Sequence, residues 1–219
     1  MSVKVKICGL RTEAALEAAL DAGADYVGLV FFPPSPRNVT PQAARALAER
    51  ARGRAKVVAL MVDPDDGLID VVLAAAAPDL IQLHGQETPE RVAEVRRRWG
   101  RPVMKAVAVA TAADAADAHR YRAAADLVLF DARAPAEATR PGGNGAPFDW
   151  RALLGIGGEG VPFVLSGGLT PDNVAEAVRL TGAAIVDVSS GVESRPGEKD
   201  PELIRRFIRA AKGGRVPPP

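Results

Sequence analysis

Cys8, His84 and Asp131 are the side chains in this sequence best suited to moving protons. Each ends a short apolar or alternating run: Val3–Cys8, Leu80–His84 and Leu127–Asp131. A thiol of free pKa ~8.5 must be partly deprotonated before it acts as a base or nucleophile. A carboxyl of free pKa ~3.9 donates a proton at neutral pH only if it is kept protonated, most simply by desolvation. Opposite demands on two groups in one site are how acid and base roles divide. Each residue also has an ordinary reading. A lone cysteine can be an inert buried side chain, and a strand-end aspartate can cap a helix or pair with a cation. His84 can hold a loop by hydrogen bonds, a role that suits it better than direct proton transfer. His119 falls in a helical stretch and belongs to the surface.

Two later segments have the chemistry of an anion site. Val164-Leu165-Ser166-Gly167-Gly168-Leu169 runs from an apolar stretch into a glycine pair, and Thr170-Pro171-Asp172-Asn173 then opens a helix. The next unit repeats the device in Val186-Asp187-Val188-Ser189-Ser190-Gly191-Val192. Glycine lets backbone N–H groups approach an anion closely, and a helix N-terminus adds a favourable dipole. Gly167, Gly168, Ser189, Ser190 and Gly191 are therefore candidate phosphate-binding residues. Two tight turns would explain the glycines without a ligand, but their place in the last two units favours phosphate.

The elements that must position these residues alternate along the chain. Strands are predicted over Val3–Cys8, Tyr26–Phe31, Lys56–Val62, Leu80–His84, Val103–Ala106, Leu127–Asp131, Phe163–Ser166 and Ala184–Ser189. Helices are predicted over Thr12–Ala22, Pro41–Arg52, Asp65–Ala76, Pro89–Trp99, Thr111–Arg120, Asp149–Leu154, Pro171–Leu180 and Pro201–Lys212. Pro41, Pro89, Pro171 and Pro201 suit a first helical turn, where a missing N–H costs nothing. Eight strand–helix units of roughly 27 residues each suit a closed parallel sheet. The expected fold class is α/β, a single (β/α)₈ TIM barrel over residues 1–212, with 213–219 a disordered tail. An open doubly wound sheet is the alternative, but no Gly-x-Gly-x-x-Gly follows the first strand. The segment Ala132–Phe148, with its Gly142-Gly143-Asn144-Gly145, reads as a mobile active-site loop; a plain flexible linker is the equal alternative for the glycines.

Strand side chains alternate in direction. Val3, Val5 and Ile7 should face the helices, and Lys4, Lys6 and Cys8 the barrel interior. Ile81 and Leu83 should face outward, with Leu80, Gln82 and His84 inward. Val128 and Phe130 should face outward, with Leu127, Leu129 and Asp131 inward. The parity places Cys8, His84 and Asp131 at one rim, the C-terminal face on which such barrels carry their catalytic residues. A lysine inside a barrel needs a partner. Asp187 on the last strand, which neighbours the first in a closed barrel, is the candidate for Lys6.

Composition narrows the function. The chain has 219 residues, 47% of them hydrophobic but 5% aromatic, so its core must be built from Ala, Val and Leu. Lys plus Arg total 28 against 27 Asp plus Glu. That balance gives no electrostatic case for nucleic acid or an anionic membrane. One cysteine and two histidines leave no internal disulfide and make a Cys/His zinc site untenable; no metal is expected. No apolar run reaches the ~18–20 residues that span a bilayer. The N-terminus lacks the apolar region of a signal peptide, and a cytoplasmic enzyme is expected.

Val5-Lys6-Ile7-Cys8-Gly9-Leu10, Gln82-Leu83-His84-Gly85, Leu165-Ser166-Gly167-Gly168-Leu169 and Asp187-Val188-Ser189-Ser190-Gly191-Val192-Glu193 together resemble the phosphoribosylanthranilate isomerase family of the tryptophan pathway. Phe31-Phe32-Pro33-Pro34-Ser35-Pro36-Arg37 looks like that family's second loop, and Pro196-Gly197-Glu198-Lys199-Asp200 also fits. The matches span almost the whole chain in order. The Ser-Gly-Gly motif alone is shared by many phosphate-binding barrels. The resemblance implies a TIM barrel and an Amadori rearrangement of a phosphosugar, an aminoaldose becoming an aminoketose, with no cofactor. It implies Cys8 as general base and Asp131 as general acid. Arg37 would bind the anthranilate carboxylate, where a planar fork gives a bidentate pair. Gln82, His84 and Asp187 would contact substrate, Asp187 either at the anthranilate amine or in support of Lys6. The chain would act as a monomer or homodimer. The nearest rival, the aminoaldose isomerase of histidine biosynthesis, uses two carboxylates, and Cys8 at the first-strand position argues against it. A non-catalytic phosphate-ligand binding barrel would leave the Cys8 and Asp131 pair without a purpose.

Overall fold

The computed structural model describes residues 2–133, 142, 149–154 and 163–213. Eight parallel strands close a barrel: Lys4–Cys8 (β1), Tyr26–Phe31 (β2), Lys56–Met61 (β3), Leu80–Leu83 (β4), Val103–Val109 (β5), Leu127–Ala132 (β6), Phe163–Leu165 (β7) and Ile185–Val188 (β8). Each strand pairs with the next, and β8 returns to β1 with Lys6 opposite Asp187. The helices between them are Glu13–Asp21 (α1), Pro41–Ala51 (α2), Asp66–Ala76 (α3), Pro89–Trp99 (α4), Ala112–Asp117 (α5) and Val174–Thr181 (α6), and Pro201–Gly213 (α7) closes the chain. Among the described residues no helix is long and apolar enough to cross a membrane.

The helices start where short polar side chains can take an orphan amide. Thr12, Thr40, Asp65, Thr88 and Thr111 each accept a hydrogen bond from the backbone N–H three residues on, a cap of about 1 kcal/mol each. A second device closes the N-terminal face of the barrel. Asp25, Asp79 and Asp126 stand just before β2, β4 and β6, and each side chain accepts the N–H of a residue in the preceding strand: Val5, Val57 and Val103. Their own N–H groups donate back to the carbonyls of the same three valines. The barrel is thus pinned in pairs of strands at the end away from the C-terminal rim.

The alternation of side chains follows the sequence. Val3, Val5, Ile7, Ile81, Leu83, Val128 and Phe130 lie in the large cluster between sheet and helices. Tyr26, Val58, Leu80, Met104, Ala106, Leu129, Val164 and Ile185 fill the barrel. Cys8, Val30 and Leu60 form a smaller apolar group above them, joined by Phe32 and Val62.

β5 runs on to Val109, three residues past its predicted end. The helix predicted over Thr111–Arg120 ends at Asp117 and gives way to a 3-10 turn, Ala118–Tyr121. Four further segments also differ from the sequence prediction. Over Asp149–Leu154 there is a single 3-10 turn, Trp150–Leu153, because Asp149 caps the N–H of Arg151, two residues on, and so tightens the turn. α6 begins at Val174 rather than Pro171. The Asn173 side chain accepts from the Thr170 N–H and donates to the Gly168 carbonyl, which ties the intervening residues into a turn. A short hairpin, Glu193–Arg195 (β9) with Glu198–Lys199 (β10), precedes α7. Gly213 belongs to α7, whose last turn is tethered by Lys212 to the Gly23 carbonyl and to Asp25. Residues 214–219, read as a tail, lie outside the described residues, as does the predicted mobile loop except for Ala132, Arg133 and Gly142.

Candidate active site at the C-terminal rim of the barrel

The strand ends at this rim converge on one cavity. Cys8, Arg37, His84, Asp131, Gly167, Gly168, Asp187, Ser189, Ser190 and Gly191 all line it. Every predicted site residue is there except Gln82, which is fully buried beneath His84.

Cys8 is 4% exposed and faces the apolar group of Val30 and Leu60. Its strand partner across β2 is Gly28. A Cβ at that position would stand 3.0 Å from the Cys8 sulfur and 3.3 Å from Lys6 Cε, so glycine is what lets the two side chains lie there. Burial pushes the Cys8 thiol up, the Lys6 ammonium beside it pulls it down, and Asp187 pushes it up again; the net direction is up. Lys6 is completely buried, with Nζ 2.8 Å from Asp187 Oδ1. Burial disfavours its charge, but Asp187 and the sulfur overcome that and hold the ammonium above the ordinary lysine range. The predicted Lys6–Asp187 pair is therefore formed inside the barrel, and Ser166 Oγ donates to the second Asp187 oxygen at 3.1 Å.

Asp131 stands at the end of β6, where its Oδ1 accepts the Ala132 N–H and its Oδ2 lies 3.3 Å from His84 Nε2. Gln82 Nε2 meets His84 Nδ1 at 3.0 Å. In that orientation Nδ1 accepts, the ring proton sits on Nε2 toward Asp131, and Gln82 Oε1 has no partner among the described residues. Turning the amide over would put Oε1 on an Nδ1–H and leave Nε2 to accept from a protonated Asp131. Gly142 packs over this pair: a Cβ there would fall 2.5 Å from Asp131 Oδ2 and 2.7 Å from His84 Nε2.

Arg37 is 4% exposed and lines the cavity. Its Nε and Nη2 hold the two carboxylate oxygens of Glu193 at 2.7 and 2.8 Å. Lys199 Nζ reaches Glu193 Oε1 at 2.5 Å and the Ser189 carbonyl at 3.0 Å. Burial would raise the Glu193 carboxyl, but the Arg37 hydrogen bond and the Lys199 charge hold it below its ordinary value. Burial lowers Lys199 to about 8. Ser189 Oγ in turn donates to the Cys8 carbonyl at 3.2 Å. The hairpin β9–β10 thus ties the second loop, the eighth strand and the cysteine strand together. Glu193 and Lys199 had no role in the sequence reading, although both lie in its motifs; nothing in their spacing pairs them with Arg37.

Glycine at 167 and 191 answers steric demands. Gly167 has φ +80° and backs onto the Ala132 N–H, and a Cβ at Gly191 would fall 1.9 Å from the Leu169 carbonyl oxygen. The loops after β7 and β8 are therefore pressed together, with Gly168 (φ +67°) and Ser189–Gly191 facing the cavity.

A closed eight-stranded barrel with a thiol, a carboxyl and two glycine–serine loops at the C-terminal rim defines a TIM-barrel enzyme with its site in the usual place. The family described as N-(5′-phosphoribosyl)anthranilate (PRA) isomerase matches residues 5–210. The chain is 59% identical to the N-(5′-phosphoribosyl)anthranilate isomerase of Paramagnetospirillum magneticum over 215 residues, 98% of this chain and 100% of that protein. Among solved structures it is similar to phosphoribosyl anthranilate isomerase from Thermotoga maritima, with TM-score 0.87 and 36% identity over 96% of this chain and 99% of that one. It is also similar to a phosphoribosyl anthranilate isomerase in complex with reduced 1-(o-carboxyphenylamino)-1-deoxyribulose 5-phosphate, with TM-score 0.84 and 34% identity over 96% and 99% of the chains. The chain belongs to the phosphoribosylanthranilate isomerase family and is an isomerase.

Proposed function

We propose that this chain catalyses the Amadori rearrangement of N-(5-phosphoribosyl)anthranilate to 1-(2-carboxyphenylamino)-1-deoxyribulose 5-phosphate, with Cys8 as general base and Asp131 as general acid. The observation that carries the reading is one cavity shared by the sole cysteine of the chain, Asp131 and both glycine–serine loops. The 5′-phosphate occupies the loops at Gly167, Gly168, Ser189, Ser190 and Gly191. The anthranilate carboxylate lies toward Arg37, whose guanidinium plane Glu193 holds fixed. Asp187 supports Lys6, and Gln82 acts through His84.

The reaction needs one proton delivered and one removed. Asp131 gives its proton to the furanose ring oxygen while the anilino nitrogen pushes the ring C1′–O bond open, leaving a protonated Schiff base. The Cys8 thiolate then takes the C2′ proton, and the C–H electron pair forms the C1′=C2′ bond of an enolamine as nitrogen is neutralised. In the final tautomerisation C1′ gains a proton and the C2′ hydroxyl loses one, so the isomerisation is proton-neutral overall. His84 keeps Asp131 in place: with the Gln82 amide turned so that Oε1 is satisfied, the ring nitrogen facing the acid is placed to accept from it.

A fluorescence assay following loss of phosphoribosylanthranilate tests the roles. Cys8→Ala and Asp131→Asn should each lower kcat by ~10²–10⁴-fold, the scale of a general acid–base contribution. Near-full activity in either variant removes that residue from its role. Arg37→Ala should weaken anthranilate-bearing ligands more than inorganic phosphate, and equal loss for both would place the carboxylate elsewhere.

A further inference from the structure

The geometry points to Lys6 as the positioning residue for the Cys8 thiolate, with Asp187 setting how much of the lysine's charge the sulfur receives. The proposal rests on Cys8 being the base. Burial works against that role, because a sulfur walled by Val30 and Leu60 is a poor place for a negative charge. The interior parity of β1 puts Lys6 two residues before Cys8 on the same face, and Gly28 leaves the space in which both side chains meet. A Gly28 Cβ would touch both the Cys8 sulfur and Lys6 Cε, so the charged end of the lysine lies beside the sulfur while it holds Asp187 at 2.8 Å. One buried cation therefore serves two anionic partners, the fixed Asp187 carboxylate and the transient thiolate.

The other charged groups around the sulfur do not substitute for it. Lys199 on β10 adds a weaker attraction and is already engaged by Glu193. The neighbours on β2 and β3, Gly28, Val30 and Leu60, carry no charge. His84, Asp131 and Arg37 line other walls of the same cavity, and Arg37 is held by Glu193. During turnover Lys6 keeps its proton: the thiolate takes the C2′ proton and becomes a neutral thiol, and the ammonium is then left with Asp187 alone. The arrangement makes the charged sulfur accessible without leaving an unpaired anion in the barrel when the sulfur is neutral.

The sole cysteine makes the test direct. The rate of Cys8 alkylation by iodoacetamide is measured against pH in the full-length protein and in Lys6→Met, Lys6→Arg and Asp187→Asn. Lys6→Met should move the midpoint up and Asp187→Asn should move it down, each by roughly one to three pH units. Lys6→Arg should restore a midpoint near that of the parent. The rising limb of kcat with pH in Lys6→Met should follow the alkylation midpoint. A structural role for the pair would move both midpoints in the same direction or neither, and either result overturns the proposal. If Lys6→Met does not fold, Asp187→Asn decides alone: an unmoved or raised midpoint overturns it. Alkylation reads the sulfur without turnover, so an active Cys8→Ala would sink the base assignment while leaving the effect of Lys6 on the sulfur to stand or fall separately.

Discussion

Lys6–Asp187 and Lys105–Glu87 are both lysine–carboxylate pairs shut away from water, and both have a 2.8 Å contact. They sit on opposite faces of the same sheet. Lys6 points into the barrel beside the sulfur. Lys105 lies on the helix-facing side of β5 with Val103 and Val109, over the Tyr121 ring. Among the described residues Asp187 has one further partner, the Ser166 hydroxyl. Glu87 is saturated by backbone: it accepts the N–H groups of Asp63 and Gly85, while Lys105 also donates to the Gly85 carbonyl and Tyr121 to the Glu87 carbonyl. One pair is built to leave a charge partly available, and the other to lock the loop after His84. A buried ion pair is therefore not one kind of object; what its remaining hydrogen-bonding capacity touches decides what it does.

Breaking each pair from the lysine side gives the largest effect. Lys6→Met and Lys105→Met should each destabilise the fold by about 3–5 kcal/mol, because each strands a buried carboxylate. Chemical denaturation measures this. Activity per folded molecule should then separate them. Lys6→Met should lose roughly tenfold or more in kcat at neutral pH, since each pKa unit added to the thiol costs a factor of ten in thiolate. Lys105→Met should keep most of its kcat. Equal losses of kcat would erase the distinction between the two pairs.

Removing both partners sharpens it with a smaller difference. Adding Asp187→Leu to Lys6→Met should recover most of the lost stability, because a neutral apolar pair replaces the ions and the Ser166 hydroxyl alone loses a partner. Adding Glu87→Leu to Lys105→Met should recover much less, because the Asp63 and Gly85 N–H groups are then orphaned at about 1–3 kcal/mol each. Gly85 has no room to adjust: a Cβ there would stand 2.3 Å from Asp63 Oδ1, in a turn where Asp63 itself has φ +45°. Matching recoveries in the two double variants would mean that the backbone bonds to Glu87 carry little.

The same contrast explains what could be read from the sequence. Alternation carried the rim: a period of two fixes which face Cys8, Lys6, Gln82 and Asp131 share, and barrel closure makes the first and last strands neighbours. Lys6–Asp187 was legible because both residues lie in strands. Lys105–Glu87 was not, because Glu87 lies in a loop, and parity alone sets Lys105 among valines with no partner in view. Arg37–Glu193 joins a loop to a hairpin that the sequence did not predict, and their closeness is a product of the whole barrel. The glycines were legible as glycines but with an incomplete cause: at 167 and 191 the contacts with Ala132 and Leu169 already forbid a side chain. The helix between β6 and β7 failed because six residues starting at Asp149 can satisfy their first amides within a single 3-10 turn, which apolar periodicity does not register.

Asp114 supplies the partly exposed counterpart to both buried pairs, and the smallest effect. It pairs with Arg133 at the surface, an interaction of about 0–1 kcal/mol. Its carboxylate also closes the capping box of α5, and the N–H groups of Ala110 and Thr111, ahead of the Arg133 charge, lower its pKa to about 2. A folded-state pKa below the unfolded value means that the unfolded chain binds the proton more readily, so stability rises with pH across that window. The contribution of Asp114 should be complete above its ordinary pKa of about 4 and lost as pH falls toward 2. Thermal denaturation of the parent and Asp114→Asn across this range should show a small constant difference in Tm near neutral pH that closes toward pH 2. Salt should reduce the Arg133 share of that difference while leaving the backbone share, since screening acts on the solvated ion pair more than on hydrogen bonds made within the cap. A difference in Tm that persists undiminished at pH 2 would mean that Asn is a poorer cap for shape rather than for charge.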